Sequence, residues 1–84
     1  MARKRDTYNY DLVHGQTVVY RGITNNPDRR VDQHAQEGKV FDVLRLKGPA
    51  KTRAHARADE VEALRTYRRG HRGQNPYYNV KYNG

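Results

Sequence analysis

The chain contains no cysteine and no tryptophan, and among its 84 residues only four are leucine, one phenylalanine and one methionine. The lack of cysteine excludes a disulfide framework and any thiolate zinc site, and leaves a reducing, intracellular compartment as the expectation. Four histidines are present but without metal-ligand spacing, which argues against zinc altogether. No apolar run approaches the length that spans a bilayer, and the amino-terminal MARKRD lacks the apolar stretch of a secretory signal. The expected location is therefore the cytoplasm, with no membrane partner. Acidic residues are also scarce, nine against seventeen lysines and arginines, for a formal charge of +8. On so small a body that excess creates a field that attracts polyanions, and nucleic acid is the expected partner.

With large aliphatics in short supply the core must be small, and seven tyrosines carry most of the aromatic area with a polar tip attached. The length allows one domain, expected over residues 7–84 behind a basic arm at residues 1–6. Tyr8, Tyr10 and Leu12 alternate with Asn9 and Asp11, the period of a half-buried strand from Thr7 to Val13. His14, Gly15 and Gln16 turn the chain into a second strand, Thr17–Tyr20, ended by Gly22, so that the pair forms an antiparallel hairpin. Asn26 caps a helix, Pro27 opens it without an amide to satisfy, Asp28 suits its positive end, and Gly38 stops it. Lys39–Lys47 is a third strand candidate, broken by Gly48 and Pro49. A second helix runs from about Ala54 to Arg69, with Val61, Leu64 and Tyr67 as its apolar stripe. The remainder is a Gly, Asn and Pro loop with a short extended tail, Tyr77–Lys81. The expected class is α+β, a three-stranded antiparallel sheet flanked by helices.

Several residues on this frame suit phosphodiester chemistry. Arg30 and His34 are four apart and share one helix face. Glu60 falls within the arc of Val61, Leu64 and Tyr67, whereas Glu62 points to the opposite side, so Glu60 is the carboxylate that looks toward the sheet. A carboxylate on an apolar face needs a partner, either a hard cation or an arginine such as Arg57 in an ordinary helical ion pair. Taken singly, Tyr10 and Tyr20 read as core aromatics, Arg30 as a phosphate contact or solvated charge, His34 as a surface histidine, and Asn79 as a turn former.

Taken together, they form a pattern. Tyr10 in YNY, Tyr20 in YRG, Thr24, Arg30, His34, Glu60 and Asn79 in NPYYN resemble, in order and spacing, the GIY-YIG nuclease motif, with Arg21 in place of the usual isoleucine and no glycine in YNY. Either Tyr8 or Tyr10 matches the first tyrosine, and Tyr10 stands at the more usual distance from Tyr20. The resemblance spans most of the chain and implies a small, stand-alone nuclease domain cutting nucleic acid, most suitably DNA, with Mg²⁺ or Mn²⁺ held by Glu60. It implies a catalytic set of Tyr10, Tyr20, Arg30, His34, Glu60 and Asn79: a tyrosine lowered in pKa by Arg29 and Arg30 as base, Arg30 on the transition-state charge, His34 as relay and Asn79 as a brace. Arg21, Arg29, Arg53, Arg57, Arg68, Arg69, Arg72 and Lys81 are the expected phosphate contacts, which carry little sequence information. Specificity would then come from substrate structure, an accessory protein or a homodimer. The alternatives are a non-catalytic binding module, in which Glu60 pairs with Arg57 or Arg30 and tyrosines stack on bases, and a toxin or anti-phage effector using the same site.

Overall fold

Strand β1 (Tyr8–His14) is the centre of a three-stranded antiparallel sheet in the order β2-β1-β3, flanked by β2 (Thr17–Thr24) and β3 (Val43–Leu46). The structure, a computed structural model, describes residues 4–82, with side chains as far as Asn79. The element order is β1, β2, α1 (Pro27–Gln36), β3, α2 (Arg53–Gly70) and a 3-10 turn at Tyr77–Tyr82. The α+β class expected from the sequence is the one observed.

The hairpin closes through a two-residue loop, His14 pairing with Thr17, and Gly15 supplies the positive φ of 64° that such loops require. The register shifts between Leu12 and Val13, and Val19 falls in the resulting bulge. Tyr10, Leu12 and Val19 are the buried centre of the core, and Tyr20, Phe41, Leu44 and Tyr78 pack around them.

The opposite face is polar. Asn9 donates from Nδ2 to the Ala56 carbonyl at 2.9 Å, and Arg21 donates from Nη1 to the Ala63 carbonyl at 3.0 Å, so α2 docks through its own backbone carbonyls. Asp11 is almost fully buried on this face, and Arg21, Lys47 and Arg45 lie 3.4, 3.5 and 3.8 Å from its carboxylate oxygens. A charge so far from water persists only with such partners.

Four expectations change. Gly22 does not end the second strand but sits inside it, opposite Tyr10. The third strand is shorter than Lys39–Lys47, because the Lys39 amide returns to the His34 carbonyl, the Val40 amide donates to Tyr78 Oη at 2.8 Å, and the Asp42 side chain accepts from the Gly15 amide at 2.6 Å. The carboxyl-terminal segment coils into a 3-10 turn after Pro76 instead of extending. On α2 the buried side is centred on Ala56 and Leu64 with Glu60 between them, while Val61 is 49% exposed. Of the basic arm, residues 1–3 lie outside the described residues, and Lys4 and Arg5 are exposed.

Candidate active site

A cleft of about 370 Å³ is lined by Tyr20, Ile23, Arg30, Arg57, Glu60, Val61, Leu64 and Asn79. Four of the six residues singled out from the sequence meet there, supplied by β2, both helices and the 3-10 turn. Tyr10 and His34 stand directly behind Tyr20: the Tyr20 and His34 rings are 4.9 Å apart between centroids, and Tyr10 Oη lies 2.7 Å from His34 Nε2.

Gly22 makes this clustering geometrically feasible. A Cβ there would lie 2.8 Å from a Tyr20 ring carbon and 2.9 Å from Tyr10 Oη, so the two phenols pass over a position where only a hydrogen fits. Of the first two tyrosines, Tyr10 is the one whose ring packs beside those of Tyr20 and His34.

Asn79 bridges the backbone of Arg21 like a short strand partner. Its Oδ1 accepts from the Arg21 amide at 2.7 Å and its Nδ2 donates to the Arg21 carbonyl at 2.9 Å. The 3-10 turn is thereby fixed to the edge of β2 one residue beyond Tyr20.

Electrostatics in the cleft follow burial. The Tyr10 and Tyr20 phenols are both raised above the ordinary tyrosine value, chiefly by desolvation. This corrects the expectation that nearby arginines bring a tyrosine down: Arg30 pulls each phenol that way, but loss of water outweighs it. His34 is held neutral, its pKa lowered from 6.5 to about 4 by burial first and the Lys39 ammonium second. The Glu60 carboxyl is raised by burial, against the pull of Arg57 and Arg53. Among the described residues no hydrogen bond or ion pair within 4.0 Å engages Glu60, so the helical pair with Arg57 does not form. Glu62, by contrast, points outward and lies 3.5 Å from Arg65.

Of the expected phosphate contacts, Arg29, Arg53, Arg57, Arg69 and Arg72 are exposed. Arg21 has instead an internal role, held by Asp11 and the Ala63 carbonyl and stacked over the Tyr67 ring at 5.5 Å. Arg68 is partly buried and donates to Asn75 Oδ1 at 2.9 Å, bracing the loop after α2. The side chain of Lys81 lies outside the described residues.

Lys39 and Glu37 were not apparent from the sequence. The Lys39 side chain is 6% exposed, its Nζ 2.7 Å from Glu37 Oε1 and 5.6 and 5.8 Å from the centres of the Tyr20 and Tyr78 rings. Gly38, at φ 84°, lets the chain reverse so that the Lys39 amide reaches the His34 carbonyl at 3.2 Å, which folds Lys39 back over the helix end. The glycine stop was readable in sequence, whereas the burial of the following lysine depends on β2 and the 3-10 turn arriving above it.

No family model, curated protein or solved structure matches this chain.

The arrangement is suited to charge-handling at a phosphate. An arginine fork, a carboxylate without an ion pair among the described residues and a phenol converge on one solvent-accessible cleft, and a neutral imidazole stands one residue behind. Among the described residues no cluster of three or more carboxylate, histidine or cysteine ligands occurs. No helix among them is long and apolar enough to cross a membrane.

Proposed function

We propose that the protein is a divalent-metal-dependent endonuclease that hydrolyses phosphodiester bonds in nucleic acid, DNA favoured, with low intrinsic sequence specificity. The observation that carries this reading is Glu60. It is a half-buried carboxylate without an ion pair among the described residues, in a chain of charge +8, facing the same cleft as Arg30, Tyr20 and Asn79. A binding module would gain nothing from an unpaired carboxylate beside its phosphate contacts, because it repels the ligand. A hydrated Mg²⁺ or Mn²⁺ held by Glu60 removes that conflict, and such an ion keeps most of its water, so one protein carboxylate suffices. When bound, the ion supplies charge neutralisation at the phosphate and acidifies water. The order and spacing of the six residues, which resemble the GIY-YIG pattern, point the same way.

In this reading Arg30 binds two phosphate oxygens through its planar fork and stabilises the charge that grows on them, which a lysine cannot do in the same geometry. Tyr20, on the cleft wall, meets the attacking water. Tyr10, whose phenol interacts with that of Tyr20, passes its proton to His34. Because both phenols start neutral, the base is the relay as a whole and not a standing phenolate. Asn79 keeps Tyr20 in place through the neighbouring Arg21 backbone.

Cleavage of labelled single-stranded, duplex and branched DNA and of RNA, with Mg²⁺, Mn²⁺ or EDTA, tests the proposal beside Glu60→Ala, Arg30→Ala and Glu62→Ala. Metal-dependent cutting that falls on the order of 10³-fold in Glu60→Ala and Arg30→Ala and persists in Glu62→Ala is expected. Binding without cutting, unchanged by EDTA, would replace it with the binding module.

A further inference from the structure

We propose that Glu37 is a positioning residue that sets the tautomer of His34, keeping the ring proton on Nδ1 so that Nε2 accepts the proton of Tyr10. Its catalytic consequence rests on the nuclease reading above, whereas the tautomer rests on geometry alone.

The imidazole is buried, and its two nitrogens have different neighbours. Nε2 is 2.7 Å from Tyr10 Oη. Nδ1 is buried without a hydrogen-bond partner among the described residues, and the carboxylate facing it is Glu37, with Oε1 at 3.5 Å. In one neutral tautomer Nε2 donates to Tyr10 and the bare lone pair of Nδ1 faces that carboxylate, which is repulsive. In the other, the Nδ1 proton points at the carboxylate and Nε2 is left as the acceptor for the phenol. Glu37 favours the second. A separation of 3.5 Å is long for such a bond, as resting catalytic contacts often are, and it shortens when the imidazole gains charge.

Glu37 is half exposed, and an exposed carboxylate seldom stays in one place. This one is held by the buried Lys39 ammonium, which the glycine-led reversal at the end of α1 brings to within 2.7 Å. The charged and titratable groups around the ring are then Glu37, Lys39 and Arg30, with the phenols of Tyr10 and Tyr20. Lys39 and Arg30 both oppose an imidazolium, and Glu37 is the one that supports it.

The proton step balances within this set. The O–H bond of Tyr10 breaks and an N–H bond forms at His34 Nε2. The electron pair left on the Tyr10 oxygen takes the Tyr20 proton, and the pair left on Tyr20 takes the proton released at the cleft when water attacks. His34 becomes an imidazolium whose Nδ1 proton points at Glu37, the arrangement by which a carboxylate supports the histidine of a hydrolase triad.

Two-bond ¹H–¹⁵N correlation spectra of His34 in the full chain report the tautomer without reference to activity. The wild type is expected in the Nδ1–H form, with the Nε2–H form rising several-fold in Glu37→Ala. In metal-dependent cleavage, Glu37→Ala lowers kcat on the order of 10²-fold with KM unchanged. Glu37→Gln, whose amide oxygen can still accept from Nδ1, keeps the tautomer and loses less. An Nε2–H wild type, or a Glu37→Ala protein with unaltered tautomer, overturns the proposal, as does an unaltered kcat in Glu37→Ala where the wild type cuts. A wild type that cuts no substrate with any metal defeats the nuclease reading instead, and the spectra still decide the Glu37 contact.

Discussion

His34 shows how much a single side chain depends on its surroundings. In an unfolded chain its imidazole takes a proton near pH 6.5, but in the fold it does so only near about 4, because burial and Lys39 disfavour the cation. Between those values the unfolded state binds a proton that the folded state refuses, so folding stability is full above about pH 6.5 and declines as the pH falls toward 4. The expected loss is ~3 kcal/mol over that window. Urea unfolding at pH 7.5, 5.5 and 4.5 measures it, and His34→Gln, which has no proton to gain, should show a shallower decline by that amount. An equal decline in both proteins would mean that the imidazole is not held neutral. At this scale the sequence conveyed residue type and helix face for His34, but not its desolvation, because loss of water is a property of what packs against a side chain.

Among the elements, the 3-10 turn at Tyr77–Tyr82 has the most effect for its length. It contributes one side chain to the cleft, and that side chain satisfies both backbone groups of Arg21. Asn79→Ala leaves an amide and a carbonyl at the β2 edge unmatched, with an expected cost of about 2–3 kcal/mol. In a domain of this size that lowers Tm by roughly 10–20 °C, measurable by circular dichroism, and cleavage falls with it as Tyr20 loosens. A Tm within a few degrees of wild type would assign Asn79 a lesser part. The helices and the hairpin were legible from caps, prolines, glycines and alternation, which are local signals. The short β3 and the coiled tail were not, since Val40 and Phe41 look like strand residues until the Tyr78 hydroxyl, from far along the chain, takes the Val40 amide.

Viewed whole, the molecule brings arginines from both helices to one cleft. Arg30 from α1 and Arg57 from α2 line it, with Arg29 and Arg53 exposed on the same two helices, while Arg21 is turned inward to Asp11. Binding to duplex DNA in EDTA should therefore weaken steeply with salt, with a log–log slope of about −3 or steeper for three or more neutralised phosphates. Arg57→Ala should reduce that slope by about 1. Arg21→Ala should leave the slope unchanged and lower stability, because it strands a buried aspartate. Equal effects of the two substitutions on the slope would contradict this division of roles.

Caps, turn glycines, strand alternation and net charge are local or summed properties, so the sequence by itself determined the α+β class, the hairpin, the start of α1 and the basic excess. It also pointed to Glu60 over Glu62, because a helix period decides which carboxylate faces inward. Only the tertiary structure decided that Glu60 has no ion pair among the described residues, that burial raises the tyrosines despite the arginines, that Arg21 is internal, and that Lys39 and Glu37 stand behind His34. Each of those depends on distances between segments far apart in the chain and on the water excluded when they meet, and neither is encoded at any one position.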